Sequence, residues 1–471
     1  MNKLFELVQC RGYSLGSLTI GECIDLANEL NVRVSDIIIQ EAMAANKMTK
    51  EEVTSSVMAT FSHNLYAMEI GMTSGKSFLM GTVGQDLADA EVNLVGDRFI
   101  NKVLKYTLSA QVGNHSVGLM PCAGTGDSCT YTGLVKALLD TLEDSNDIAR
   151  LVALLLKIGV IFRVGKSTTG CNMEGFGAGA AATAAVVAEM LDATPNQVGQ
   201  AITLALSPTI GNPCTPRVMV AGLCAAHLGG GVLIGHLAAN LVVKTTIPVT
   251  VPPDVMIAMA AAVHPLSAKH IVPAVIKYME PFFKTNDAVE SFINPEVKAQ
   301  DAERIENTIA QAKAEARALA SKANSIVKPF GDAVVGGSSQ AVGSPTNTAR
   351  IAHALAKGTI TGVKVELYPE LFARRGINIP GVLMAAVHGA GTDNSELYRT
   401  IMEEVQQSKL KVEIIEVNEP QLQRVTIYAT GRNSMIEALN RGGGRLVIKN
   451  ASPSVEEAKA IARKLNIDVV E

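Results

Sequence analysis

The chain has 471 residues, room for about two to four domains that each bury a core. Apolar residues make up 48% and aromatic residues only 4%, with no Trp, so core volume comes from Ala, Val, Leu, Ile and Met with Gly at close contacts, the palette of tightly packed helices. A net charge of −4 spread over mixed signs leaves no basic face to attract nucleic acid or an anionic membrane surface, and neither is expected as a partner.

The N-terminal MNKLFELVQCRGYS interrupts its apolar residues with Lys3, Glu6 and Arg11, so it lacks the apolar stretch of a secretory signal. Seven Cys, an odd number at no regular spacing, point to a reducing compartment, and the protein is expected to be cytoplasmic. The first seventy residues read as short helices; Thr49 with Glu52 three positions on is a capping box. TSGKSFLMGTVGQD, Thr73 to Asp86, is too rich in Gly, Ser and Thr for a regular element and reads as a ligand loop. Its Gly75, Lys76 and Ser77 mimic the end of a phosphate-binding loop, but Ile70 stands where that motif needs Gly, which excludes the nucleotide reading.

Gly113 to Cys129 reads as a second irregular stretch, leading into an apolar helix over Val135 to Leu142. Leu151 to Phe162 is apolar on all sides, and after GKSTTG an Ala- and Gly-rich run predicts a core helix. Thr194 and Pro195 open another helix as N-cap and first-turn residues. Val218 to Val243 carries no acid or base except His227 and His236 and could span a bilayer, but Gly229, Gly230 and Gly231 divide it, which favours a buried helix pair.

Gln300 to Asn324 is a charged, Ala-rich helix suited to a solvated connector. Gly331 to Asn347 reads as a hinge or substrate loop, and beyond it alternating runs at GVKVELY, KVEIIEV and QRVTIYA predict strands between helices, with a last helix capped by Ser454 and Glu457. The expected fold is multidomain α and α/β: a large, mainly α-helical N-terminal domain, residues 1–329, and a smaller C-terminal α/β domain, residues 330–471.

Chemistry could sit on Cys171, Cys214 and Cys224. None forms a zinc-knuckle pair, but scattered thiolates can hold an iron–sulfur cluster if the fold brings them together. Cys is equally a small buried hydrophobe, which suits Cys224 in AGLCAA, and Cys122 and Cys129 beside a Gly-rich loop are no weaker as ligands. Cys10 and Cys23 read as packing residues. The eight His form no metal-binding pair on a helix; His115, read as a loop residue, is the candidate proton acceptor, with loop packing as its alternative.

The segment GCNMEGFGAGAAATAAVVAEMLDATPNQVGQAITLALSPTIGNPCTPRVMVAGLC resembles the core of the iron–sulfur L-serine dehydratase α domain. In that family a Gly-Cys pair with Glu three residues on, a Cys some forty residues later and another about ten beyond supply the cluster site. Cys171, Glu174, Cys214 and Cys224 match it, the last spacing being one residue short. SFLMGTVGQD resembles the family's Ser-Gly-Leu-Thr-Gly-Gly loop and PCAGTGDSC its Pro-Thr-Asn-Gly loop, which cradle the substrate's amine and carboxylate. VKVELY and RGGGRLVIKN resemble the family's β domain, here following the α domain.

The resemblance implies a [4Fe-4S] cluster held by Cys171, Cys214 and Cys224, and β-elimination from L-serine to pyruvate and ammonia. Thr82, Thr125, Ser338 and Ser339 are then the expected polar contacts of a small amino-acid substrate, and a homodimer is the expected assembly. ARRGINIPGVLMAAVHGAG is closer to the related L-cysteine desulfidase group, with an Ile-Pro-Gly turn before an Ala-rich helix, and brings L-cysteine or another small hydroxy or thio compound in as an alternative. Two departures, GSSQAVGSPT for the Ser-Ser-Ser-His-Thr loop and Gly376, Ile377 and Asn378 where a His is usual, leave a catalytically silent amino-acid-binding homologue as a further alternative. A pyridoxal-phosphate lyase would need a Schiff-base Lys, for which Lys166 has the only suggestive setting.

Overall fold

The computed structural model describes residues 2–120, 127–165, 177–211, 220–323, 325–327, 343–391, 394–442 and 444–470. The chain forms two compact units, Met1–Ala316 and Arg317–Glu471.

The first unit begins with the expected short helices, α1 (Asn2–Cys10), α2 (Ile20–Leu30), α3 (Val34–Asn46), α4 (Lys50–Ala59) and α5 (Ser62–Thr73). Thr19 and Thr49 start α2 and α4 as capping boxes: each hydroxyl accepts the N–H of a Glu three residues on, and that Glu's carboxylate accepts the Thr N–H. Then follow α6 (Val83–Ala88), α7 (Arg98–Val117), α8 (Asp127–Leu139), α9 (Ser145–Gly165), α10 (Gly179–Met190), α11 (Pro195–Leu206) and α12 (Leu223–Lys244). Thr194 and Pro195 open α11 as read from the sequence. α10 is the hub. Every residue from Gly179 to Glu189 is buried, and its small side chains let α9, α11 and α12 pack around it.

α12 corrects one expectation, because its glycines do not divide it into a helix pair; it is a single helix of 22 residues. Gly costs about 1 kcal/mol in a helix interior, but here it permits contact: a Cβ on Gly235 would lie 2.5 Å from the Ala180 carbonyl oxygen of α10. Among the described residues α12 is the one helix long and apolar enough by itself to cross a bilayer. α13 (Pro253–His270), continued through α14 (Val272–Met279) to Phe282, meets the same measure only across a 43° bend, a second apolar stretch the sequence reading did not anticipate. The short α15 (Asp287–Glu290) leads to α16 (Pro295–Ser321), which buries no residue, as its charged composition predicts.

Polar groups also tie the helical layers together. At the end of α10, the buried Glu189 carboxylate accepts from Ser35 N–H (3.0 Å), Ser35 Oγ (2.6 Å) and Arg150 Nη1 (2.8 Å), joining α3, α9 and α10. Burial pushes the Glu189 carboxyl upward, and the Ser35 and Arg150 contacts oppose it. Arg150→Ala should leave this carboxylate without its cation and cost about 3–5 kcal/mol, read as a lower midpoint in urea unfolding; a loss under about 1 kcal/mol would contradict the assigned pairing.

The second unit holds a five-stranded sheet in the order β2-β1-β3-β4-β5. β1 (Ile360–Leu367), β2 (Lys411–Glu416) and β3 (Leu422–Ala429) are the strands expected from alternation, and β4 (Ser434–Asn440) and β5 (Leu446–Ser452) complete the sheet. β1 pairs parallel with β2 and antiparallel with β3, with Val363 opposite Ile427 and Val365 opposite Val425. The helices are α17 (Gly343–Leu355), α18 (Pro369–Ala373), α19 (Arg375–His388), α20 (Ser395–Gln407) and α21 (Val455–Lys464), the last capped by Ser454 as expected. The expected Ile-Pro-Gly turn is instead helix: Pro380 lies inside α19 and removes one bond of its ladder. The architecture is a mainly helical N-terminal unit followed by a smaller α/β unit, the expected fold class.

Candidate functional site

Backbone contact between helices sets the first unit's polar site. A Cβ on Gly113 of α7 would lie 1.9 Å from the Ala67 carbonyl oxygen of α5, and one on Gly84 of α6 would lie 2.2 Å from that of Gly71. Only glycine permits such approach, and the three helices meet around the connection from α5 to α6. That connection folds back on itself at Ser77 and Gly81, each N–H donating to the other's carbonyl at 2.8 Å, with Gly81 at a positive φ of 61°.

Ser77 is buried in this turn. Its Oγ accepts from Leu79 N–H (3.1 Å) and Met80 N–H (2.9 Å) and lies 2.6 Å from His115 Nδ1. The other ring nitrogen, Nε2, lies 2.9 Å from the amide nitrogen of Gln111, one helical turn earlier, and Gln111 Oε1 accepts from the Cys129 thiol of α8. Both lone pairs of Ser77 Oγ accept from Leu79 and Met80 N–H, so the hydroxyl donates to Nδ1 and the neutral ring carries its proton on Nε2, facing the Gln111 amide, which can present either end to it. Burial lowers the His115 pKa, so the ring stays neutral at ordinary pH.

His115 therefore does not stand in a loop. α7 runs through Gly113 to Val117, because Gly113 serves close packing on α5 and does not break the helix. Thr82 occupies the N-cap position of α6 and makes no capping bond through its side chain. Sequence reading did not assign Ser77 or Gln111 to the site; the signal for Ser77 was its place as first residue of the SFLMG segment.

The same turn is tied to the start of α12. Gly222 N–H donates to the Leu79 carbonyl at 2.9 Å, and Gly222, at φ 82°, is the N-cap of the helix that carries Cys224 in its first turn. Cys224 is buried in a small cluster with Met68, Ala110, Cys129 and Leu228, which brings two of the cysteines weighed as ligands into one place. Cys23 is a packing residue, as expected, and burial pushes its thiol up to about 12; Cys10 is exposed. Cys171, Glu174, Cys214, Cys122, Thr125, Ser338 and Ser339 lie outside the described residues. Among the described residues no three His, Cys, Asp or Glu side chains are placed to hold a metal ion.

His227, one turn after Cys224, has its pKa lowered by burial to about 4. The sign follows from proton binding. Between the unfolded value near 6.5 and about 4 the unfolded chain binds a proton that the folded chain refuses, so acid destabilises the fold. Wild type should lose about 2–3 kcal/mol from this residue over that window, the lower figure allowing for water at a half-buried ring. His227→Gln should melt with a correspondingly flatter acid limb, and parallel limbs would contradict the assignment.

The family model described as serine dehydratase alpha chain matches residues 29–273, a stretch inside the first unit that contains Ser77, His115, Cys129 and Cys224. The L-serine dehydratase, alpha chain, of Peptoniphilus asaccharolyticus is 25% identical over 260 residues, 51% of this chain and 86% of that protein. The probable L-serine dehydratase, alpha chain, of Bacillus subtilis (strain 168) is 24% identical over 243 residues, 47% of this chain and 77% of that protein. The matched stretch covers just over half of the chain, and with it the helices that assemble the Ser77 turn, His115 and the start of α12: this chain belongs to the serine dehydratase alpha chain family.

Proposed function

We propose that this chain is an iron–sulfur-dependent lyase that eliminates the β-hydroxyl of L-serine and yields pyruvate and ammonia. The observation that carries the reading is the tie between a serine–histidine pair and the helix start bearing Cys224: Ser77 Oγ lies 2.6 Å from His115 Nδ1, and Leu79 of the same turn accepts from Gly222. Family membership and the names of the two relatives point the same way.

Cys171, Cys214 and Cys224 would hold the [4Fe-4S] cluster. At Cys224 the surroundings fit: a soft thiol at the N-terminal, positive end of a 22-residue helix, in an apolar cluster shielded from water. When bound, the cluster supplies Lewis acidity for the departing hydroxyl. Thr82, Thr125, Ser338 and Ser339 are assigned to the substrate's amine and carboxylate. Ser77 Oγ takes the α-proton while passing its own to Nδ1 of His115, which uses the tautomer that donates from Nε2 to a reoriented Gln111 amide. The Cα–H and Cβ–O bonds break, the departing hydroxide takes the proton held on His115 and leaves as water, and the resulting enamine becomes an imine that water hydrolyses to pyruvate and ammonia. The enzyme works in the cytoplasm, as a homodimer.

L-Cysteine is the second substrate, favoured by the desulfidase-like ARRGINIPG segment. Anaerobic purification tests the whole reading. A brown protein containing iron and sulfide that forms pyruvate from serine supports it, and sulfide release from cysteine alone moves the assignment to a desulfidase. A colourless protein that binds either amino acid without turnover overturns it in favour of a silent binding homologue.

A further inference from the structure

We propose that a cleft between α3, α4 and α9, apart from the Ser77 site, binds a zwitterionic α-amino acid with an aliphatic side chain. The cleft has a volume of about 240 Å³, walled by Ile38, Ala42, Val53, Val57 and Ala153, with Glu41 and Lys157 also lining it. Ligand sites usually span about 300–1,000 Å³, so this one suits a molecule of amino-acid size and excludes a nucleotide.

The ion pair is what makes the cleft more than an apolar dent. Lys157 Nζ lies 3.0 Å from Glu41 Oε1 and 2.8 Å from Oε2, with both side chains largely buried. A buried ion pair rarely stabilises a fold more than apolar side chains of the same volume would, and here, unlike in the Glu189–Arg150 pair, both members line the same cleft. Both groups keep bonding capacity. Among the described residues Oε1 accepts from Leu18 N–H (2.8 Å) and Lys157 and Oε2 from Lys157 alone, and the ammonium's three N–H donors exceed the two carboxylate oxygens it meets. An amino acid's ammonium and carboxylate would join Glu41 and Lys157 head to tail, with an aliphatic side chain against Val53 and Ala153. A serine side chain in the same place would leave its hydroxyl against apolar walls, so the ligand differs from the proposed substrate and the inference does not rest on the catalytic reading.

Isothermal titration calorimetry of the full chain with L-leucine and L-valine tests this, with 4-methylpentanoate and isopentylamine carrying one charge each. Saturable binding of at least one amino acid is expected, with affinity about tenfold or more weaker for either singly charged analogue. The paired substitution Glu41→Gln with Lys157→Met should weaken binding about tenfold or more while keeping the fold, as melting would show. Ala153→Leu, which fills the cleft and keeps the pair, should weaken it equally. No heat with either amino acid, unchanged affinity in either folded variant, or equal binding of a singly charged analogue would overturn the proposal.

Discussion

Cys224→Ala is expected to strip most of the iron and sulfide from anaerobically purified protein and to take pyruvate formation below detection, whereas Cys129→Ala keeps the iron. The two thiols share one apolar cluster, so burial does not distinguish them. Their roles in the local bonding do. Cys129 donates to Gln111 and so belongs to the network behind His115, while Cys224 stands in the first turn of α12, where the helix's positive end favours a metal-bound thiolate. Removing one buried sulfur costs the fold on the order of 1 kcal/mol, so both variants should remain folded and iron analysis can be read directly. Cys171→Ala and Cys214→Ala should behave like Cys224→Ala. Full iron in Cys224→Ala would dismiss it as a ligand.

Ser77→Ala should lower kcat/KM for L-serine by about 100- to 10,000-fold at unchanged iron content, mainly through kcat. Its hydroxyl is the one group in the described site that contacts the ring of His115 and also holds the turn, through Leu79 and Met80 N–H. Loosening of the turn accounts for about 1–3 kcal/mol and should appear partly in KM, which separates it from loss of proton transfer. The pH profile gives a second readout. Burial keeps the His115 pKa below its ordinary 6.5, so wild-type kcat/KM should rise with pH through that lowered value as the ring loses its proton. His115→Asn should lack this rise. A Ser77→Ala enzyme with near wild-type kcat would move the base elsewhere.

Signals carried by a few neighbouring residues were legible. Thr49 with Glu52, Thr194 with Pro195, and Ser454 each start a helix by bonds that close within one turn, so the residue types and their spacing are sufficient. The small-residue run of α10 and the charged face of α16 were equally plain, because a helix's composition reports whether it faces a core or water. The cysteine pattern and the SFLMG segment carried the family resemblance for the same reason: both are written along the chain.

Contacts across the chain were not legible. Gly113 and Gly235 resemble breakers in isolation, yet each sits inside a helix at a point where a neighbouring carbonyl leaves no space for a Cβ. Ser77 and His115 are 38 residues apart and meet only because α5 and α7 touch backbone to backbone. Nor does any local pattern place Glu41 beside Lys157, 116 residues later. By itself the sequence determined where the helices capped by Thr49, Thr194 and Ser454 begin, that α10 faces a core and α16 water, and which family the chain resembles, since those follow from short-range bonding and composition. Only the tertiary structure decided which polar groups face one another, because hydrogen bonds and ion pairs form within about 3–4 Å whatever the distance along the chain.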